Sequence, residues 1–173
     1  DVMAYAYNGT NLFEGAKIDG FSTVAALYME QVQIVTLNPE IKTVADLKGK
    51  TVSVGDSGSG VYFNALDCLG AYDLTIDDIK PTYQSFGDSV EAMQDGKIDA
   101  AFIVAGAPTT AVTSLAATRD VYLVELDDEH IAKLQETSPY YTKNVISKDA
   151  YGLEKDATTV AVGAVIIAQD DVD

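Results

Sequence analysis

The sequence predicts an α/β fold with a largely parallel sheet, and three features of the chain support this. Between residues 41 and 168, short β-branched runs alternate four times with segments of helical periodicity. Residue types that favour helix N-caps stand at several of the connections from strand to helix, and glycines follow two of the helical segments. The run TTVAVGAVIIA at residues 158–168 is typical of a strand buried on both faces.

The first forty residues carry weaker patterns. An Asn-Gly-Thr turn precedes residues 11–17, which predict a single helical turn. Apolar residues between positions 24 and 37 predict two short strands, and Pro39 ends the second of them.

Four strand and helix pairs are predicted after residue 41. Asp88 and the Asp127-Asp128 pair are the predicted N-terminal caps of two helices. Gly70 and Gly96 occupy the positions expected of C-terminal caps. The strands are predicted at residues 51–54, 82–86, 98–104 and 121–126, and the helices at residues 59–69, 89–94, 109–117 and 129–136.

Charge excludes two classes of partner. The chain has 27 acidic residues against 11 Lys plus Arg, a formal net charge of −16, so it lacks the basic surface that nucleic acid binding needs. An anionic bilayer surface would repel it, and no apolar run reaches the roughly 20 residues that span a membrane. We expect neither nucleic acid binding nor direct membrane insertion of this chain.

Several titratable residues have ordinary explanations. Cys68 stands alone, which excludes an intramolecular disulfide and a multi-cysteine zinc site, and its position on a helical face predicts packing. His130 is expected to be a solvated surface residue. The acidic runs at residues 127–129 and 170–173 lack the spacing of a calcium loop. Arg119 is far in sequence from the candidate site below, so no arginine clamp is expected there. No metal and no cofactor are predicted.

The strongest candidate site is a predicted strand that runs through the glycine-rich turn GDSGSG into a helix. Glycine permits tight turns, and the partial positive charge of a helix N-terminus favours an anion. The hydroxyls of Ser57 and Ser59 add donors. The alternative is a plain strand-to-helix turn capped by a serine. The backbone N–H groups expected to be open to a ligand are those of Gly58, Ser59, Gly60 and Val61.

Two enzyme motifs are excluded at this turn. GDSGSG is similar to the GDSGGP of trypsin-like proteases, but those enzymes place their histidine upstream of the serine, and His130 lies downstream. A phosphate-binding P-loop needs a lysine where Val61 stands.

Four segments resemble, in order and spacing, the extracytoplasmic solute receptors of TRAP transporters, in the TAXI branch (TRAP-associated extracytoplasmic immunogenic proteins). The resemblance extends over nearly the whole chain. Single motifs such as DLKGK occur in many periplasmic binding proteins, whereas the ordered set is more specific. Val61 departs from the pattern, because family members often carry Thr there. The segments are Asp46-Leu47-Lys48-Gly49-Lys50, Val54-Gly55 with Ser57-Gly58-Ser59-Gly60, Asp95-Gly96-Lys97-Ile98-Asp99-Ala100-Ala101-Phe102, and Gly106-Ala107-Pro108, continued by Pro139-Tyr140-Tyr141.

This resemblance implies a type II periplasmic binding protein-like clamshell, with one complete lobe plus part of the other. Residues 1–37 would be part of lobe I with a crossing strand, residues 38–157 would form lobe II, and residues 158–173 would return toward lobe I. The chain, which begins at Asp1 without a signal sequence, would be a fragment lacking the N-terminal part and the C-terminus of such a receptor.

The resemblance also implies binding without chemistry. The expected role is to capture a small carboxylate or amino acid such as glutamate, in the periplasm or outside the cell, and to deliver it to TRAP permease subunits. Two alternatives remain open. One is a periplasmic enzyme of the same fold with Ser57 or Ser59 as nucleophile, and the other is the effector-sensing domain of a transcription regulator.

Ligands of open α/β sheets bind beyond the carboxyl ends of the strands. The expected rim therefore includes residues 57–61, an apolar wall at Phe86 with Gly87 beside it, and the loop Gly106-Ala107-Pro108. Tyr5 or Tyr7 would face this rim from the first lobe. The alternatives are that Gly106-Ala107-Pro108 only starts a helix and that Phe86 belongs to the core.

Overall fold

The computed structural model describes residues 2–171 and shows one seven-stranded sheet with helices on both faces. The predicted α/β class is confirmed. The helices are α1 (Val2–Asn8), α2 (Gly60–Ala71), α3 (Phe86–Gln94), α4 (Thr110–Ala116) and α5 (Asp128–Thr137). The strands are β1 (Phe21–Thr36), β2 (Thr51–Ser53), β3 (Lys80–Thr82), β4 (Ala100–Ala105), β5 (Tyr122–Leu123), β6 (Thr142–Ile146) and β7 (Ala157–Gln169).

The sheet is mixed, so the prediction of a largely parallel sheet is wrong. Its order is β3-β2-β4-β1-β7-β6, with β5 paired to β1. Only β3, β2 and β4 are parallel to one another, whereas β1 is antiparallel to β4, β5 and β7, and β6 is antiparallel to β7. A strand buried on both faces has the same apolar composition in either orientation, so composition alone cannot reveal direction.

Two cores lie on opposite faces of the sheet because successive side chains of a strand alternate between its faces. Phe102 and its neighbours at every second position of β4 pack with α2 and α5. Ile103 belongs to the other core, with Val90 of α3 and Val112 of α4. The central strand β4 thus separates α2 and α5 from α3 and α4.

The strand β1 is continuous over 16 residues, so the prediction of two short strands is wrong. Its last five residues are buried, while most of its first nine are exposed. The strand β7 behaves alike: its first six residues are largely buried and the following residues are not, so burial on both faces is confirmed only for its first half. The exposed halves, residues 21–30 and 163–169, pair with each other, and we call them the ribbon.

The predicted caps of two helix ends differ from those observed. The helix α3 begins at Phe86, with Ser85 as its N-cap, so Asp88 lies within its first turn. Gly70 lies inside α2, and Asp73 instead takes the left-handed conformation after this helix, with φ +56°. The cap at Asp127 and the glycine at position 96, with φ +70°, are confirmed.

The remaining bounds follow from short-range structure that periodicity does not reveal. The prediction of a strand at residues 82–86 is wrong, because β3 ends at Thr82. Of the strand predicted at residues 121–126, only the two residues of β5 are observed. The helical turn expected at residues 11–17 is a 3-10 turn at Asn11–Phe13, preceded by the unpredicted α1. Among the helices described at residues 2–171, none combines the length and the apolar character needed to cross a bilayer.

Candidate functional site

Each parallel strand runs into a helix at the same edge of the sheet: β2 leads to α2, β3 to α3 and β4 to α4. Because β2 lies between β3 and β4, the chain leaves β2 in one direction and later crosses back to β4 on its other side. The helices α2 and α3 accordingly lie on opposite faces. Ligands of α/β sheets bind at such a reversal of strand order. The candidate site is therefore the crevice between the loop after β2 and the loop after β4.

The loop after β2 is the glycine-rich turn. Gly55 and Gly58 have φ of +77° and +75°, conformations that favour glycine. The hydroxyl of Ser59 accepts the N–H of Tyr62 at 3.2 Å and caps α2. The N–H of Ser59 donates to the carbonyl of Asp56 at 3.0 Å, so the expectation that it is open is wrong.

Three of the N–H groups expected to be open are available to a ligand. That of Gly58, before the helix, donates to no acceptor among the described residues. The first N–H groups of a helix have no partner within the helix. Here, those of Gly60 and Val61 donate to no acceptor within residues 2–171. Ser57 and Gly58 are exposed beside them. The turn thus combines a serine cap, as one alternative predicted, with two N–H groups directed out of the helix N-terminus.

The loop after β4 contains Gly106, Ala107 and Pro108, and the peptide bond between Ala107 and Pro108 is cis. Helix α4 begins only at Thr110, so the alternative that these three residues start a helix is wrong. The N–H of Ala107 donates to Oε1 of Gln31 on β1 at 2.9 Å. The N–H of Ala107 is therefore used within the protein, and the carbonyl of Gly106 accepts the hydroxyl of Thr109 at 3.1 Å. Gly106 and Pro108 are the exposed residues of this loop.

The first two residues of α3 differ in their exposure to solvent. Phe86 is half-buried and packs against the core that contains Val90 and Met93, which matches the alternative that it belongs to the core. Gly87 is exposed in the first turn of α3. Beside this helix, the atoms Thr82 Oγ1 and Gln84 Nε2 are buried without a hydrogen-bond partner in the described residues.

Tyr5 contacts α2 rather than the glycine-rich turn. Its hydroxyl lies 2.7 and 2.8 Å from the two carboxylate oxygens of Asp67 and donates to that group. Ser138 Oγ is 2.8 Å from the same hydroxyl, and the Tyr5 ring lies 5.8 Å from that of Phe63. We call this group, completed by Tyr141, the Asp67 cluster.

Tyr7 does not reach the rim. Its side chain is half exposed, and its ring meets Phe21 edge-on at 6.4 Å, with Lys17 above it. The expectation that Tyr7 faces the glycine-rich turn is therefore wrong. The reason is that α1 turns Tyr5 and Tyr7 to different sides, because residues two apart on a helix do not share a face.

Asp67 is a partly buried carboxylate on α2, the helix that follows the glycine-rich turn. Burial raises its pKa, although the hydroxyls of Tyr5 and Tyr141 that donate to it act in the opposite direction. The pKa of Tyr5 and that of Tyr141 are raised as well, first by burial. Sequence reasoning missed Asp67, because an aspartate within an amphipathic helix has the same pattern whether it is solvated or buried.

Asp67→Asn is expected to make stability less dependent on pH. A raised native pKa means that the folded chain holds the proton more tightly than the unfolded chain. The contribution of Asp67 is therefore complete below its unfolded pKa of about 3.9 and is lost as the pH rises through its native pKa. Asparagine keeps an acceptor for both hydroxyls and cannot titrate. Urea denaturation between pH 4 and 7 should show the variant gaining stability relative to the wild type as the pH rises.

The exposed Asp77 supplies the control for this prediction. Asp77→Asn removes one negative charge from the surface and leaves the Asp67 cluster intact. If both variants change with pH in the same way, the effect belongs to net charge and the prediction about Asp67 is wrong.

His130, Cys68 and Arg119 lie outside the crevice. His130 lies at the surface as expected, with its side chain 30% exposed. Its ring stacks on Tyr72 at 3.7 Å and its Nδ1 lies 2.7 Å from Asp127 Oδ2, so the imidazole is paired as well as solvated. Cys68 is fully buried, as expected, and burial raises the pKa of its thiol. Arg119 donates to the carbonyl of Gln94 at 3.1 Å. Residues 2–171 hold no group of three or more His, Cys, Asp or Glu placed to bind a metal ion.

A family model described as the NMT1-like family matches residues 1–173. A curated relative, the putative aliphatic sulfonates-binding protein of Escherichia coli K12, is 42% identical over 72 residues, which is 40% of this chain and 22% of the relative. The chain therefore spans less than a quarter of the length of that protein.

Two solved structures show the same fold. The periplasmic aliphatic sulphonate-binding protein of Escherichia coli matches with a TM-score of 0.51 and 22% identity, over 83% of this chain and 40% of that one. A putative periplasmic sulfonate-binding protein of an ABC transporter from Methylobacillus flagellatus KT matches with a TM-score of 0.51 and 18% identity, over 86% of this chain and 38% of that one. These likenesses confirm the predicted fold of type II periplasmic binding proteins over part of its length. These relatives are named as sulfonate-binding proteins and not as TRAP receptors.

Proposed function

Since this chain belongs to the NMT1-like family, we propose that it acts as a solute receptor that binds a small organic anion outside the cytoplasm and delivers it to a membrane permease. The observation that carries the proposal is the pair of unused N–H groups of Gly60 and Val61 at the N-terminus of α2. They lie at the reversal of strand order, where α/β sheets bind ligands, and a helix N-terminus favours negative charge.

The proposed ligand carries a carboxylate or a sulfonate. Glutamate and similar carboxylates are what the TAXI resemblance implies, whereas the relatives compared above are named for sulfonates. Both groups present several oxygens to N–H and hydroxyl donors. A net charge of −16 repels any anion at long range, so affinity has to come from short-range hydrogen bonds at the site. Val61 offers its N–H and no hydroxyl, which limits the donors on this side of the ligand.

The proposed binding residues are those on the two sides of the crevice. From α2 and its turn they are Ser57, Gly58, Ser59, Gly60 and Val61, and from the loop after β4 they are Gly106, Ala107 and Pro108. Phe86 and Gly87 would lie at the outer end, and Tyr5 would act through Asp67 and Phe63 of α2.

The proposed organisation of the chain is that of a clamshell. Residues 1–37 would be part of lobe I with a crossing strand, residues 38–157 would form lobe II, and residues 158–173 would return toward lobe I. The receptor would act in the periplasm or outside the cell. Its proposed partner is a TRAP permease in the membrane, with an ABC permease as the alternative that one relative's name suggests. Uptake of labelled ligand by cells that lack either the TRAP permease or the ABC permease distinguishes the two.

The contacts do not favour an enzyme. The hydroxyl of Ser59 is held by the N–H of Tyr62, and the imidazole of His130 is held by Asp127 and Tyr72. A proton acceptor would have to reach Ser57 or Ser59 for either serine to act as a nucleophile.

Calorimetric titration tests the proposed function. The full-length gene product is titrated with L-glutamate, succinate and ethanesulfonate, and glycinamide serves as a small solute without an anionic group. We expect saturable binding of at least one anion and none of glycinamide. Failure of all three anions, or equal binding of glycinamide, would contradict the proposal.

A further inference from the structure

A buried network ties the loop after β4 to the strand β1. Gln33 of β1 donates through Nε2 to the carbonyl of Ala105 at 3.0 Å and to Oγ1 of Thr109 at 2.8 Å. Its Oε1 accepts a short hydrogen bond from the hydroxyl of Tyr151. That hydroxyl in turn accepts the N–H of Thr109 at 2.7 Å.

This network has little freedom. Gln33 is 0% exposed and Tyr151 is buried. Leaving a buried polar group without a partner costs more free energy than the hydrogen bond itself contributes to stability. The side chains of the network therefore favour a single arrangement. Gln31 lies two residues before Gln33, on the same face of β1, and holds the N–H of Ala107.

The residue that precedes α4 is held by side chains from outside its own loop. Thr109 occupies the N-cap position of this helix and makes no capping hydrogen bond with its side chain, which bonds the carbonyl of Gly106 and Gln33 instead. The N–H of Thr109 is held by Tyr151, which precedes β7 by six residues in the sequence. The position of the loop is therefore set from outside the loop.

We propose that Gln33 and Tyr151 are positioning residues for ligand binding, which hold the Gly106-Ala107-Pro108 loop at the correct distance from the donors of α2. This rests on the proposed function. The hydroxyl of Tyr151 bonds only residues of the protein, and its effect on the ligand passes through Thr109. Because Gln31 and Gln33 belong to β1, the loop follows any movement of that strand.

A second tyrosine in the chain supplies a matched control. The hydroxyl of Tyr72 accepts the N–H of Asp127 at 3.1 Å and donates to its carboxylate at 3.0 Å. Asp127 is the N-cap of α5, as Thr109 is the N-cap of α4. Tyr72→Phe and Tyr151→Phe thus each remove one hydroxyl from the N–H of a helix cap, and only Tyr151 lies at the candidate site.

The test compares the two variants with the wild type in the full-length gene product, titrated with L-glutamate and with ethanesulfonate. We expect Tyr151→Phe to raise the Kd about tenfold, the effect of one misplaced hydrogen bond, and Tyr72→Phe to leave it within about twofold. Both variants should lower the melting temperature. Equal affinities of the two variants would show a structural role only and overturn the proposal.

Amide hydrogen exchange of the free protein separates this proposal from the proposed function. Tyr151→Phe should speed the exchange of the Thr109 and Ala107 amides about tenfold, and Tyr72→Phe should affect only the Asp127 amide. An unchanged exchange rate of the Thr109 amide would show that Tyr151 does not hold the loop after β4, and would overturn the proposal. Wild-type protein that binds none of L-glutamate, succinate and ethanesulfonate would instead overturn the proposed function, whatever the exchange shows.

Discussion

Gly55→Ala is expected to lower the free energy of unfolding by about 3 kcal/mol, the combined effect of a strained φ and of overpacking. A Cβ at this position would lie 2.7 Å from Cβ and 2.8 Å from Cγ1 of Val61, and these atoms sit on the first turn of α2 and cannot move without the helix. The φ of +77° adds strain for any residue with a side chain. Urea denaturation followed by circular dichroism measures the loss.

Gly58 offers the control for this substitution. Its φ of +75° is nearly the same, but a Cβ there meets no atom within 4 Å. Gly58→Ala should therefore cost only about 1 kcal/mol, from φ alone. The difference in free energy of unfolding between the two variants gives the cost of the close contact between the turn and α2. Equal losses would show that this close contact is absent from the protein in solution.

Gly60→Pro is expected to weaken ligand binding by roughly 10- to 100-fold, the effect of one hydrogen bond to a charged group, with little loss of stability. Proline fits the first position of a helix, and Ser59 before it has φ −72° and ψ +162°, the extended conformation that precedes proline. The N–H that proline removes donates to no acceptor in residues 2–171. Titration with the anion that binds the wild type measures the change.

Gly60→Ala is the matched variant. It keeps the N–H, and its Cβ meets nothing within 4 Å. Binding by Gly60→Ala should be close to that of the wild type, while Gly60→Pro loses affinity. If both variants bind equally well, the N–H of Gly60 is not a ligand contact and the anion site at α2 is wrong. A thermal melt of each variant shows that any loss of affinity occurs in folded protein.

Local chemistry explains why most helices could be predicted. The helix after the glycine-rich turn was expected from residue 59 and begins at Gly60, because the serine at position 59 and the glycines before it have strong local preferences. The same local rules placed the cap at Asp127. They failed at the N-terminus of α3, where Ser85 and Asp88 are both good caps and the packing of Phe86 selects Ser85.

Sheet direction and the buried network could not be predicted because they depend on contacts between distant residues. The strand β1 pairs with β4, about 70 positions later, and with β7, about 130 later, and no local pattern contains this information. The pattern QVQIV placed glutamines within a β-branched run, which is the sole sequence indication of Gln31 and Gln33. Their partners Ala107 and Tyr151 became visible only in the fold.

The ribbon makes association between molecules of this chain depend on ionic strength. Within residues 2–171, its outer backbone edges pair with no strand, and Val24, Leu27, Ile166 and Ile167 are exposed along it. Such edges add strands from neighbouring molecules, and β-branched apolar sequences strengthen the contact. The net charge of −16 keeps molecules apart in dilute buffer, but its range shrinks to about 10 Å at 0.1 M salt. Added salt therefore lets the ribbon edges of two molecules approach each other, and we expect self-association to increase with ionic strength.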